Sequence, residues 1–475
     1  MLVSAAIFSL AGATAAKAAC DIYCDGRNPD LARGNRVPAS ATVDGRLIRL
    51  HISDADDLAW ASISNGSPGD EVWLDRSWDG TTRPNYIARL EHLLIPFDNS
   101  VIPSGDRGWR TMMYTVNDPS HHQVGTVRAC GKPGNRSNVA CTPWASAMLD
   151  GGSPAAVAAT ALMQIYDPSG GNWRNSLWNN GWWISANALT AMIDYMSRGG
   201  HSRYSYVIPM TFAANKGAQG GNFTNGYIDD TGWWGLAWMR AYDYTGNSQY
   251  LAMAIRDADY MYKFWDNKCG GGLYWSAEKR HKNAIENELF LKLAAGLHNR
   301  LPGDIKYLKL AQAEWDWFSA SGLINSSGLV NDGLDGECRN NHKNTWTYNQ
   351  GVILGGLAEL YRATGKALLL AEADVIASAA IAHLTVNGVL TEPCGRNGCG
   401  GDSLAFKGPF IRNIYELSRT ERTSAYDGFL RNQAVSLWGR ACNLDGQCSC
   451  NWAGPFNDFN YATQQAALDA FSAAP

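Results

Sequence analysis

The chain has 475 residues, 45% of them hydrophobic, with 19 Trp and 20 Tyr, enough to bury a large core and still leave aromatic rings for a binding surface. A formal net charge of -4, a charged content of 18% and the absence of any Lys/Arg run exclude a protein that neutralises a phosphate backbone, so nucleic acid is not an expected partner.

Residues 1–18 are apolar and small and end in Ala16-Lys17-Ala18, the small-x-small pattern of a signal peptide cleaved after Ala18. Export agrees with the eleven Cys. Close sets such as Cys20/Cys24, Cys130/Cys141, Cys394/Cys399 and Cys442/Cys448/Cys450 flank loops rich in Gly, Asn and Pro, where disulfides close local turns. They lack the doubled spacing or His partners of a tetrahedral zinc site, so no metal and no cofactor is expected.

From about Val43 to Cys130 the pattern alternates: Ile48, Leu50 and Ile52 enclose Arg49 and His51, Val72 and Leu74 flank Trp73, and the runs WRTMMYTV and VGTV follow. Asp-Gly, Asn-Gly and Pro-Gly turns break these strands, so residues 19–145 are expected to form a β-rich region. Its role is either a stabilising extension or a sugar-binding module with Trp73, Trp78 and Trp109 as platform.

After about Trp144 the period becomes helical and a repeat emerges: YDYTGNSQYLAMA at Tyr242, NRLPGDIKYLKLA at Asn299 and YRATGKALLLAEA at Tyr361. Gly246, Gly303 and Gly365 are placed to end one helix in the left-handed conformation, and Tyr250, Tyr307 and Leu369 to face inward from the next. A fourth copy is expected around SRTERTSAYDGFL. The glycines stand 57 and 62 residues apart, so the helical stretch accommodates close to six hairpins. Six hairpins suggest a closed α/α barrel, with an open superhelix as the alternative.

Asp229 and Asp230 stand just where a helix begins, in NGYIDDTGWWGLAWMRAYDY. Neighbouring carboxyls do not both ionise easily, which divides a pair into proton donor and nucleophile. At a helix start they can sit about 5 Å apart, the spacing of a retaining glycosidase. Trp233 and Trp234 follow within a turn, and NNGWWISANALTAMIDY contributes Trp182, Trp183 and Asn187. Aromatic faces that stack on sugar rings, beside amides that fix hydroxyls, suit a carbohydrate cleft.

These runs, with KNAIENELFLKLAAGL, TWTYNQGVILGGLAELYRATG and DSLAFKGPFIRN, resemble glycoside hydrolase family 76, the endo-α-1,6-mannanases, in the family's order across most of residues 146–420. The resemblance implies a mainly α fold, an (α/α)6 barrel of six helical hairpins over 146–475, preceded by the small β-rich region. It implies Asp229 as nucleophile and Asp230 as general acid/base of a double displacement. It also implies contacts to an α-1,6-mannan or mannooligosaccharide from Trp346, Tyr348, Asn349 and Gln350 and from Asp402 and Lys407. The expected protein is a secreted monomer that hydrolyses the mannan backbone, without a membrane segment, because the Cys-rich C-terminus lacks an apolar anchor tail. Transglycosylation through the same intermediate and non-catalytic mannan binding are the alternatives.

Overall fold

The computed structural model describes residues 25–78, 88–90, 101–118, 120–173, 181–395 and 400–475. The expected signal peptide, and Cys20, Cys24 and Cys399, lie outside these residues. The chain divides into two compact units, one ending at Ala147 and the other running Met148–Pro475.

The first unit is built from antiparallel strands. Strands β1 (Arg36–Val43), β2 (Arg46–Ser53) and β3 (Leu58–Ser64) form a meander, extended on β3 by the short strands β6 (Trp109–Arg110) and β7 (Tyr114–Thr115). A second sheet has the order β5 (Ala88–Arg89), β4 (Glu71–Ser77), β8 (Thr126–Lys132), β9 (Ala140–Cys141). Asp44 and Gly45, both at positive φ, make the two-residue turn that sets the register of β1 on β2. Ile48, Leu50 and Ile52 of β2 and Val72, Leu74, Val127 and Ala129 of the second sheet are fully buried. A Cβ on Gly131 would meet Ile48 at 2.9 Å, so the two sheets pack closely there. Trp73 is buried and its indole donates to Asp75, while the Arg76 guanidinium covers Trp78 at 4.1 Å. Of the three tryptophans expected as a sugar platform only Trp109 is exposed, so they do not form one flat surface.

The second unit contains twelve α-helices among the described residues. They are α1 (Pro154–Met163), α2 (Gly181–Gly199), α3 (Val207–Asn215), α4 (Ile228–Thr245), α5 (Ser248–Tyr262), α6 (Ala284–Arg300), α7 (Lys306–Ala320), α8 (Thr347–Thr364), α9 (Leu368–His383), α10 (Lys407–Glu421), α11 (Asp427–Ser436) and α12 (Tyr461–Ala473). Each even-numbered helix from α2 to α12 packs against the next even-numbered one, and α12 packs back against α2. Burial follows position. Helix α6 is buried without interruption from Ala284 to Leu297, whereas α7 buries only Tyr307, Ala311, Glu314, Trp317 and Phe318, one stripe at helical spacing.

Glycines allow the inner helices to approach. On α8 a Cβ at Gly351 would fall 2.3 Å from the Phe410 Cα, and one at Gly356 would fall 3.0 Å from the Leu291 side chain. Gly351→Ala is therefore expected to cost about 1–3 kcal/mol by overpacking, measured by urea unfolding, because backbone atoms of α10 cannot step aside. A loss below a few tenths of a kcal/mol would show that α8 and α10 separate freely.

The repeat glycines act at two places as expected. Gly246 and Gly365 cap α4 and α8 with φ of 69° and 68°. Gly303 has φ 77° but lies beyond the end of α6, whose cap is the extended Leu301. In the fourth copy the left-handed cap of α10 is Arg422, at φ 56°. Tyr250, Tyr307, Leu369 and Tyr426 are all buried.

Among the described residues the disulfides include Cys130–Cys141, which joins directly paired residues of β8 and β9, and Cys442–Cys448. Cys269–Cys338 ties the loop after α5 to the loop after α7 across 69 residues. Cys450 is free and buried. No helix among the described residues is long and apolar enough to cross a membrane.

Candidate active site

The N-terminal turns of the even-numbered helices gather at one end of the ring, as the contacts Trp183–Trp233, Tyr348–Phe406 and Gly181–Tyr461 show. Asp229 and Asp230 occupy the first turn of α4. The start of that helix is held by a short antiparallel pairing: Ile228 N–H donates to the Trp275 carbonyl at 2.8 Å, and Ala277 N–H to the Gly226 carbonyl at 2.9 Å. This pairing brings the Trp275 side chain to Asp229.

Asp230 is buried, and its Oδ2 accepts from Asn225 Nδ2 at 2.6 Å. Asp229 Oδ1 is buried without a hydrogen-bond partner. Burial pushes the Asp229 carboxyl up to about 7 against the opposing contacts of Trp275 and of backbone N–H groups, with Asp402 adding to the rise. Burial and then the charge of Asp229 push Asp230 well above the carboxylate range, Asn225 acting in the opposite sense. A pair in which one charge raises the other carries a single proton over a wide pH range.

Around the pair stands an aromatic wall. Trp183 stacks on Trp233 at 5.7 Å, Trp233 faces Tyr348 at 6.4 Å, and Tyr348 lies nearly parallel to Phe406 at 3.9 Å. Trp346 meets Phe406 edge-on at 5.4 Å and its indole donates to Asp332 at 3.1 Å. Asp402, a third carboxyl, accepts from the Trp183 indole at 3.2 Å, and its charge reaches both Asp229 and Asp230. The start of α8, which carries Tyr348, is fixed by Glu392, whose oxygens take the Thr347 N–H at 3.2 Å and the Thr347 hydroxyl.

The structure thus brings together Asp229, Asp230, Trp183, Trp233, Trp346, Tyr348 and Asp402. Of the other expected contacts Asn187, Trp234, Asn349, Gln350 and Lys407 are buried and Trp182 is partly buried. Trp234 is fully buried between Trp182 at 5.0 Å, Phe223 at 4.9 Å and Trp238 at 5.6 Å. Consecutive helical residues diverge by about 100°, so Trp182 and Trp234 point into this cluster while Trp183 and Trp233 meet each other. Asn187 donates to the Trp183 carbonyl and accepts from Arg412, both below the wall. Gln350 exchanges two 2.8 Å hydrogen bonds with the Val330 backbone, as a strand neighbour would. Asn349 is fully buried, and its side-chain amide has no partner. Lys407 is buried over the Trp452 ring at 4.9 Å and donates to the Cys450 carbonyl.

Sequence reading missed Asn225, Trp275, Phe406 and Tyr227. Tyr227 is half exposed and meets Trp275 at 5.0 Å, which makes an accessible aromatic corner beside Asp229. The available signal was its place directly before the aspartate helix; nothing local marks Trp275, which reaches the site only through backbone pairing.

Residues 152–474 match the family model of glycosyl hydrolase family 76. Mannan endo-1,6-alpha-mannosidase DFG5 of Saccharomyces cerevisiae is 28% identical over 319 residues, which span 61% of this chain and 69% of that protein. The structure of the GH76A alpha-1,6-mannanase from Salegentibacter sp. HEL1_6 superposes with a TM-score of 0.61 at 26% identity, covering 67% of this chain and 97% of that one. An inactive variant of the same mannanase, with two consecutive aspartates replaced by alanine and α-1,6-mannotetrose bound, matches equally, with a TM-score of 0.61. The match over most of the chain shows that this protein belongs to glycosyl hydrolase family 76 and is a glycoside hydrolase.

Proposed function

We propose that this protein hydrolyses internal bonds of α-1,6-linked mannan with retention of configuration, with Asp229 as nucleophile and Asp230 as general acid/base. The observation that carries the reading is the carboxyl pair buried at the start of α4, where burial raises both groups and the charge of Asp229 raises Asp230 further. The two consecutive aspartates missing from the inactive, mannotetrose-bound mannanase support it.

In the first step the Asp229 carboxylate attacks the anomeric carbon, the glycosidic C–O bond breaks, and Asp230 gives its proton to the departing oxygen. In the second, Asp230 takes a proton from water, the resulting hydroxyl bonds to the anomeric carbon, and Asp229 leaves as carboxylate. Tyr227, Trp275 and Tyr348 offer rings to the sugars, and Asp402, held by Trp183, accepts from their hydroxyls.

The ring of even-numbered helices with odd-numbered helices between them is read as an (α/α)6 barrel of six hairpins spanning 146–475. Residues 19–145 are read as an accessory β-rich region. Export to an oxidising compartment, after loss of residues 1–18, is supported by the disulfides.

Digestion of unbranched α-1,6-mannan tests this. The expected result is a rapid fall in chain length to short oligosaccharides, with no cleavage of α-1,2- or α-1,3-linked chains; release of mannose alone, or an intact polymer, would overturn it. In kcat/KM, which reports the free enzyme, the acid limb should lie above the usual carboxylate range and at most near the value of about 7 set for Asp229. Activity rises with pH as Asp229 ionises and falls as Asp230 loses its proton.

A further inference from the structure

The two oxygens of Asp230 have different surroundings. Oδ2 accepts from Asn225 Nδ2 at 2.6 Å, a contact that Oδ1 does not share. The orientation of the Asn225 amide is fixed by a backbone donor: Tyr227 N–H reaches Asn225 Oδ1 at 2.8 Å, so the oxygen end must accept there and the NH2 end must face Asp230. An NH2 group only donates, so the lone pair of Oδ2 directed at Asn225 is occupied.

Asn225 is itself held. Its carbonyl accepts from the Tyr260 hydroxyl of α5 at 3.0 Å. Phe223, two residues earlier, is fully buried against Trp234 and Trp238 and anchors the loop to the core. The side chain therefore reaches Asp230 from a loop fixed at both ends.

We propose that Asn225 is a positioning residue that places the transferable proton of Asp230 on Oδ1, the oxygen that Asn225 does not contact. This rests on Asp230 being the acid/base. Proton transfer then follows one path: the Oδ1–H bond breaks, the proton joins the glycosidic oxygen as its bond to the anomeric carbon breaks, and the carboxylate left behind keeps the Asn225 hydrogen bond. The same donor stabilises that carboxylate until it takes a proton from water in the second step.

The charged neighbours of Asp230 are Asp229 on its own helix and Asp402 before α10. Glu286 of α6 and Tyr348 of α8 sense Asp229 from the other side. Asp229 and Asp402 both favour the protonated form of Asp230, so Asn225 is the group that opposes them.

The test compares Asn225→Ala and Asn225→Asp with the parent on α-1,6-mannan and on an α-1,6-mannobioside carrying dinitrophenolate, a leaving group that departs without a proton. Asn225→Asp keeps the acceptor for Tyr227 N–H and replaces the donor with a carboxylate oxygen, whose charge pushes the Asp230 pKa in the same direction as loss of the donor, so it preserves the local turn if the alanine variant does not fold. For both variants kcat/KM on mannan is expected to fall about 10- to 100-fold, the loss of a hydrogen bond to a charged group. On the dinitrophenyl substrate kcat/KM should change by less than about threefold, since its first step needs no acid. The basic limb of the mannan profile should move to higher pH. Equal losses on both substrates with an unmoved limb would overturn the proposal. Asp230→Ala, measured alongside, must show the same contrast between substrates; if it does not, the acid/base assignment fails, and if it does while the Asn225 variants lose activity uniformly, only the role of Asn225 fails.

Discussion

Asp229→Asn is expected to lower kcat on α-1,6-mannan by about 10⁴-fold or more, because an amide cannot form the glycosyl ester and water alone does not replace a nucleophile held at the anomeric carbon. Asp230→Asn should lose about 10²- to 10⁴-fold on mannan, the usual contribution of a proton donor. A dinitrophenyl mannobioside separates the two. It needs no proton to depart, so its ester-forming step survives in Asp230→Asn and fails in Asp229→Asn. Reversal of that pattern would exchange the two roles, and activity within tenfold of the parent in both variants would remove the pair from the mechanism.

Neither loss should come from unfolding. Burial raises the folded-state pKa of Asp229 and Asp230 above the unfolded value, so the folded state holds more protons and each group costs stability as pH rises through that interval. At neutral pH the asparagine variants should unfold at the same or a higher denaturant concentration than the parent, and the difference should vanish below the ordinary carboxylate pKa. An active site that is strained in this sense trades stability for reactivity.

Arg412→Ala should produce the largest loss of stability, about 3–5 kcal/mol in denaturant unfolding, because it leaves a buried carboxylate without its partner. Arg412 of α10 grips Asp469 of α12 through two hydrogen bonds, of 2.6 and 3.1 Å, and donates to Asn187 of α2 at 3.1 Å. The two side chains are 5% and 0% exposed, so the pair lies inside the ring where α12 packs against α2. Burial already drives the Asp469 carboxyl above its ordinary value even with Arg412 opposing. Without the guanidinium its folded-state pKa should rise further, so the gap between variant and parent should be widest at or above the folded pKa of the variant and narrow as pH falls to that of the parent. Arg412→Met combined with Asp469→Leu should recover much of the loss, since an apolar pair leaves no unpaired charge. A cost below about 1 kcal/mol for Arg412→Ala would mean that solvent reaches Asp469.

Such ionic groups fill more of the interior. Glu416 of α10 meets Lys292 of α6 at 2.7 Å and also Arg240 of α4, which reaches Asp194 of α2 at 2.9 Å. Burial alone would raise the Glu416 pKa, but the two cations outweigh it and hold the group ionised. The inner helices are therefore joined by charge as well as by apolar packing.

This mixed interior explains what the sequence made legible. Turns with a steric requirement were readable: Gly246 and Gly365 sit at positive φ where a helix stops. Arg422 takes the same conformation without the glycine signal, so the fourth repeat showed only through the aromatic and apolar residues around it. The strands of the first unit were readable because Ile48, Leu50 and Ile52 alternate with more accessible residues. The inner helices carry little such contrast. With Trp182, Trp183, Trp233 and Trp234 all covered to differing degrees, composition alone could not separate rings that line the pair from rings that fill the core. Buried amides were as hard to place, since Asn187 and Gln350 also serve guanidinium and backbone groups that only the folded ring brings near. Cys269 and Cys338, 69 residues apart, gave no local sign of pairing.

The most direct test of retaining hydrolysis by the Asp229/Asp230 pair is the proton NMR spectrum of the reducing ends released from unbranched α-1,6-mannan in the first minutes, before mutarotation. The double displacement predicts that α-anomeric signals rise first and β signals follow at the spontaneous rate. β signals rising first would mean single inversion, which no glycosyl ester on Asp229 can produce.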